Sequence, residues 1–274
     1  MVEKDHFGKR FPNEKKGDLH VHSGYSYKGI SLDGKLQPHE LVEKAESLRH
    51  EILAITDHDT IVPSIVGREF AEKEGYRVEV IVGKEVSSLD GHILALGIET
   101  NIPFWMSAQD TVRAIHAQGG LAIPAHPLFM LTDSVGRRKL RDIAQDPDSE
   151  VYWDGIEVFN AGANDWRGVE WFTKFSDGNR MARNFYTKEN ENGDYGAPIG
   201  GSDTHGESIG RAVTAIPQSV TIYDAIRKGE TGVIMMDKRE NHSIQSMRET
   251  QRKSIELEQY RRTFPTEARI FPMR

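Results

Sequence analysis

The chain has no cysteine among its 274 residues, which excludes disulfides, thiolate zinc sites and cysteine nucleophiles together. It also lacks any apolar run near the roughly 18–20 residues that a membrane helix needs. The first 16 residues are polar and charged, so neither a membrane partner nor a secretory signal is expected. Positive charge is in deficit: 35 Lys and Arg against 42 Asp and Glu leave a net charge of −7. That balance argues against a broad basic face, and no extended nucleic-acid surface is expected. It is compatible with a metal site, because carboxylates gathered as ligands add negative charge. What remains is an ordinary mixture, 37% hydrophobic and 28% charged, as for a cytoplasmic globular protein of one sizeable domain or two small ones.

Short apolar runs alternate with amphipathic stretches. Strands are expected at residues 17–22, 51–56, 77–83, 92–98, 120–125, 154–159, 197–201 and 232–235, with helices at 36–50, 63–75 and 108–119. The repeated strand–helix units imply a mainly parallel sheet, open or closed into a barrel. Asp90-Gly91 reads as a hairpin turn and interrupts that rhythm. Residues 164–196 gather Trp166, Trp171, Phe172, Phe175, Phe185, Tyr186 and Tyr195, a cluster expected to pack rather than to bind. The boundaries that follow are a polar segment at 1–16, a central domain at 17–236, and a charged C-terminal tail at 237–274 that could form a helix.

Eleven histidines are present, and six of them lie in strands or just past their ends. His20-Val21-His22 closes the first strand; residues i and i+2 share a face, so both imidazoles can reach one ion. Asp203-Thr204-His205 repeats that geometry near the far end of the chain. Asp57-His58, Glu85 and His126 each end a β-like run, and His92 begins one. In α/β barrels and open sheets the strand C-termini meet at one rim, where active sites lie. A sulfur-free set of imidazoles and carboxylates suits Mn²⁺, Zn²⁺ or Fe²⁺. There are more ligands here than one ion needs, which implies two or three divalent metal ions. Three would add six positive charges, bringing −7 to about −1, so an anionic substrate is electrostatically plausible.

These strings, Asp18-Leu19-His20-Val21-His22-Ser23, Thr56-Asp57-His58, Gly83-Lys84-Glu85, Gly91-His92, Ala125-His126-Pro127, Gly155-Ile156-Glu157-Val158-Phe159-Asn160 and Ser202-Asp203-Thr204-His205, resemble in order the PHP (polymerase and histidinol phosphatase) family. The likeness is to its stand-alone metal-dependent phosphoesterases and runs over about residues 17–235. It implies an α/β fold, a distorted (β/α)₇ TIM-like barrel, with a trinuclear metal site at the strand C-termini. Carried over residue by residue, His20, His22, Glu85 and Asp203 resemble the ligands of one metal, and Glu85 with His92 and His126 those of a second. His58 and His205 resemble the ligands of a third, completed by a carboxylate from the loop after His22. Tyr27 and Lys28 stand where relatives place that ligand. The displaced stretch Leu32-Asp33-Gly34-Lys35-Leu36-Gln37-Pro38 points to Asp33 instead, a vacant third site being the alternative. Asp57 is expected to orient His58.

The expected activity is hydrolysis of a phosphomonoester, a nucleotide or another small phosphorylated metabolite, with a metal-bridging hydroxide as nucleophile. A phosphodiesterase or 3′-directed nuclease is the first alternative, and a non-catalytic metal-binding regulator the second. Glu85, His126, His205 and Asp57 are the expected catalytic residues. Arg211 is the expected phosphate ligand, since its planar fork can hold two oxygens, or else it pairs with a carboxylate of the barrel. Arg137, Arg138 and Lys28 are weaker candidates on rim loops.

Overall fold

The computed structural model describes residues 3–25, 27–28, 31–32, 34–129, 133–162 and 177–236. In chain order the elements are β1 (Glu3–Gly8), β2 (Glu14–Val21), β3 (Tyr27–Lys28), β4 (Ser31–Leu32), α1 (Pro38–Ser47), β5 (Ile52–Ile55), α2 (Val62–Glu74), β6 (Glu79–Ser88) and β7 (Gly91–Leu96). There follow α3 (Ala108–His116), β8 (Leu121–Pro124), α4 (Arg137–Ala144), β9 (Gly155–Asn160), α5 (Gly178–Glu189), β10 (Ala197–Gly201), β11 (Ala212–Pro217), α6 (Ile222–Arg227) and β12 (Gly232–Met236). The α/β fold is built on an eight-stranded sheet in the order β1-β12-β11-β2-β5-β6-β7-β8, with β9 and β10 as a separate pair.

Local chemistry sets the helix ends. α1 opens with Pro38 in its first turn and a reciprocal capping box between Gln37 and Glu40. α2 closes on Gly75 in the left-handed region at φ 68°. Each of these helices returns the chain to a parallel neighbour, so β2, β5 and β6 run parallel. Elsewhere the expected parallel sheet gives way. β6–β7, β7–β8, β2–β11, β11–β12 and β1–β12 are all antiparallel. The cause at β6–β7 is the tight turn at Asp90-Gly91, which leaves no room for a crossover helix. The polar N-terminal stretch contributes to the sheet: β1 lies on β12, and the Phe7 ring meets Tyr186 edge-on at 5.7 Å.

The sheet curls into a half-barrel. The β9–β10 pair is tied to one end of it by Asp154 N–H donating to Ala122 O (3.1 Å) and to β2 by Asp203 N–H donating to His20 O (2.7 Å). A parallel bridge between Val21 and Thr204 lies beside the second tie. Core residues come from both faces of the strands, with Leu19, Val21, Ile52, Ile55, Ile93, Ile156 and Ile199 all fully buried. The described part of the aromatic stretch packs as expected: Phe185 and Tyr195 are buried and meet edge-on at 5.0 Å. Asp33, Trp166, Trp171, Phe172, Phe175 and the tail 237–274 lie outside the described residues. No described helix is long and apolar enough to cross a membrane.

Candidate metal centre

His20 on β2 and His22, just past its end, share one face because strand side chains alternate, while Leu19 and Val21 go to the core. Their Nε2 atoms lie 3.1 Å apart. Glu85, near the end of β6, is the shared partner. Its Oε2 stands 3.3 Å from His20 Nε2, 3.2 Å from His22 Nε2 and 3.3 Å from His58 Nε2. Its Oε1 stands 3.0 Å from His92 Nδ1 and 2.9 Å from His126 Nε2. Asp203 Oδ1 completes the first group at 3.4 Å from His20 Nε2 and 3.1 Å from His22 Nε2. His205 stacks on His22 with ring centroids 4.3 Å apart.

Among the described residues, three groups place one donor atom each within 4.8 Å of the others: His20, His22, Glu85 and Asp203; His58, Glu85 and His92; and His22, His58 and His205. All eight expected donors other than Asp33 therefore meet in one place. His126 and Asp203 take φ of 31° and 47° there, left-handed conformations that cost energy in non-glycine residues and are found at functional sites.

A second layer fixes which nitrogen faces inward. His20 Nδ1 donates to Glu157 Oε1 (3.1 Å), so the Nε2 lone pair points at the cluster. Ser134 Oγ donates to His126 O (2.8 Å) and therefore accepts from His126 Nδ1 (3.0 Å), which turns that ring's Nε2 lone pair toward Glu85. Glu157 Oε2 also accepts from His126 N–H (2.6 Å) and from Asn160 Nδ2 (3.0 Å), and Asn160 Nδ2 reaches Asp203 Oδ2 (3.1 Å). Asp18 anchors the β2 end by accepting from Ser202 N–H (2.8 Å) and Gly210 N–H (2.7 Å), and burial pushes its carboxyl up to about 6 despite those bonds.

Lone pairs of buried imidazoles aimed at buried carboxylates repel unless a cation lies between them. The protonation equilibria register the same demand. Burial opposes charge on His20 and His22, but the carboxylates outweigh it, holding His20 well above its usual range and His22 at about 10. Glu85 and Asp203 are held well below the carboxylate range by the surrounding imidazoles, against the opposing effect of burial. Divalent cations fit this donor set. His20 already spends its Nδ1–H on Glu157, so donating to Glu85 from Nε2 as well would make it a buried imidazolium.

Comparison with known proteins agrees with the geometry. The sequence profile of the PHP domain matches residues 18–145. An uncharacterized protein of Methanocaldococcus jannaschii is 35% identical over 153 residues, covering 53% of this chain and 82% of that one.

The chain belongs to the PHP family.

PHP relatives differ in what they act on. The 5′-3′ exoribonuclease Rnm of Escherichia coli is 36% identical over 102 residues, 35% of this chain and 33% of that enzyme, so the chain matches about a third of its length. A two-domain Bacteroides vulgatus structure containing a predicted PHP-like metal-dependent phosphoesterase shares the fold. Its TM-score is 0.58 at 19% identity, over 85% of this chain and 68% of that one. The family is that of metal-dependent phosphoester hydrolases. The expectation of no extended nucleic-acid surface is corrected by the likeness to an exoribonuclease. Net charge averages over the whole molecule, whereas a strand of nucleic acid meets one face; α4 alone gathers Arg137, Arg138, Lys139 and Arg141.

The expected substrate cations fare unequally. Arg211 is buried, 5% exposed, at the start of β11. Arg137 is held by Glu189 Oε1 (3.2 Å) and lies over the Phe185 ring. The Lys28 side chain lies outside the described part. Asp57 accepts from the Ser23 N–H and hydroxyl, both at 2.9 Å, so it fixes the backbone next to His22. Sequence reasoning assigned no role to Glu157, Asn160 or Ser134. An isolated acid between Ile156 and Val158, both fully buried, was the available signal for Glu157.

Proposed function

We propose that the chain hydrolyses phosphodiester bonds at an end of single-stranded nucleic acid, with three divalent ions held by the Glu85-centred cluster. The observation that carries this reading is Glu85 itself, one carboxylate facing five imidazoles at 2.9 to 3.3 Å. Divalent ions bound there supply Lewis acidity and an activated water for in-line attack on phosphorus. The likeness to a 5′-3′ exoribonuclease supports a nucleic-acid substrate and favours its 5′ end. Burial of His20, His22 and Glu85 favours an end over the middle of a strand, because a terminal phosphate reaches a recessed site with less of its chain in the way.

Within that site Glu157 and Ser134 hold His20 and His126 with their donor nitrogens inward. His205, its side chain 41% exposed, joins His22 and His58 as the donors for the third ion. Arg211 is the cation assigned to the phosphate oxygens. Hydrolysis of a small phosphomonoester is the second reading, supported by the same depth.

The test compares wild type and Glu85→Gln, each reconstituted with Mn²⁺, on 5′- and 3′-labelled oligoribonucleotides, mononucleotides, nucleoside 3′,5′-bisphosphates and sugar phosphates. The expected result is stepwise shortening from one end by wild type, at least a hundredfold slower in the variant and abolished by EDTA. Phosphate release from monoesters without shortening establishes the second reading. Full metal content and full activity in Glu85→Gln overturn both.

A further inference from the structure

Among the described residues, the most exposed large apolar side chains lie together beside the β6–β7 hairpin. Leu89 is 72% exposed, Trp105 70% and Phe104 48%. The Phe104 and Trp105 rings meet edge-on at 5.1 Å. Two such rings left in water are costly to solvation unless something covers them.

Their segment is clamped rather than loose. Trp105 N–H donates to Ser87 O (2.7 Å) and Leu89 N–H to Met106 O (2.9 Å). Ile61 N–H donates to Asn101 Oδ1 (3.1 Å), and Lys84, fully buried, sends its Nζ to Ile102 O (2.6 Å). Trp105 takes φ 58°, a conformation that its surroundings must enforce. The clamps fix the position relative to the site. Ser87 follows Glu85 by two residues on β6, about 7 Å at the usual strand rise. Ser87 N–H also donates to Asp59 Oδ1 (2.8 Å), the residue after His58.

Positive charge lies near the tip of the same hairpin. The β6–β7 turn abuts the start of α4 so closely that a side chain at Gly91 would overlap Ser134 and Val135 N. Lys139 Nζ reaches Asp90 Oδ1 at 3.3 Å, and Arg138, just before it on the same helix, is 95% exposed with its Nε 3.9 Å from Asp142 Oδ2. Exposed rings and exposed cations flanking a phosphoester site are the two components of a single-strand binding groove.

We propose that Phe104 and Trp105, with Leu89 beside them, form a platform on which a base of single-stranded nucleic acid stacks while its phosphate enters the Glu85-centred site, Arg138 meeting the backbone. This inference rests on the nucleic-acid reading above and names the surface that reading needs. Stacking tolerates any base, so the platform gives affinity for single strands without sequence preference.

The test uses the Mn²⁺-loaded full chain and a hydrolysis-resistant phosphorothioate hexa-adenylate, read by fluorescence anisotropy, beside a hexamer of the same backbone without bases. The expected result is a rise in Kd for hexa-adenylate of about 5- to 150-fold in Phe104→Ala/Trp105→Ala, with the baseless hexamer unaffected and Trp105→Phe retaining most of the affinity. Arg138→Ala is expected to weaken both hexamers alike, since it meets phosphate. Both positions are exposed, so circular dichroism should show a native fold. Unchanged Kd in the double variant, or an equal loss on the baseless hexamer, overturns the platform and leaves the hydrolytic reading standing. Wild type that shows no binding to hexa-adenylate overturns both. A concentration-dependent dimer that Trp105→Ala disperses also overturns the platform, because the rings then cover a second copy of the chain.

Discussion

Glu157 makes the most exacting prediction. Its Oε1 accepts from His20 Nδ1, and its Oε2 from His126 N–H and Asn160 Nδ2. In Glu157→Gln the amide oxygen keeps the fixed backbone donor of His126, the shortest of the three bonds at 2.6 Å. The NH₂ then faces His20 Nδ1, which can accept only by moving its proton to Nε2. That proton points at His22 Nε2, Glu85 and Asp203 and blocks the nitrogen needed for metal. A lost hydrogen bond to a charged group is worth about 1.5–3 kcal/mol. Removing a partner that orients a ligating histidine typically costs 10- to 100-fold in metal affinity, or about 1.4–2.7 kcal/mol; the two magnitudes agree. Affinity for Zn²⁺ is measured by competition with a chromophoric chelator, folding by circular dichroism, and the tautomer by imidazole ¹⁵N shifts. A folded Glu157→Gln protein with wild-type affinity and His20 still protonated at Nδ1 refutes the reasoning.

Three further outcomes follow from the geometry. Gly201→Ala would overlap His20 Cβ and stand 2.9 Å from Glu157 Oε1, so it should lower the unfolding free energy measured in urea by about 1–3 kcal/mol and weaken Zn²⁺ binding with it. Lys84→Met removes the amine that holds Ile102 O; binding of hexa-adenylate should fall several-fold with metal content unchanged, and lost metal would refute the anchor role. His50 is buried, and burial with Lys16 nearby lowers it to about 4. The unfolded chain, with His50 near its usual 6.5, therefore binds the proton first, and stability falls as pH drops from about 6.5 toward 4. Between pH 7 and 5 the loss is about 2 kcal/mol, read as the difference in urea stability between wild type and His50→Leu at the two pH values.

The clustering of these donors was legible in the sequence because strand periodicity and strand ends are local signals. His20 and His22 share a face by spacing alone, and Glu85, His126 and Asp203 each stop an apolar run. Sheet direction was not legible, since nothing in Ala212-Val213-Thr214-Ala215-Ile216-Pro217 says that it will run against β2. α4 was missed because only Leu140 and Ile143 of its eight residues are buried; its periodic signal is two residues deep. Glu157 was missed for the opposite reason: its role lies in partners far along the chain. The net charge misled about nucleic acid because it carries no information on where charge sits.

The ties that join β10 to β2 have a consequence for assembly. Asp203 N–H on His20 O, Ser202 N–H on Asp18 Oδ1 and the Val21–Thr204 bridge belong to the same few residues that supply donors to the metal centre. The seam of the fold and the site are therefore one object, made from the two ends of the domain. Until the chain near residue 200 has been synthesised and laid against β2, His20 and His22 face a half-built cavity with no carboxylate from Asp203. Metal capture there would await completion of the site, and whatever loosens that site would also loosen the stitch between β2 and β10.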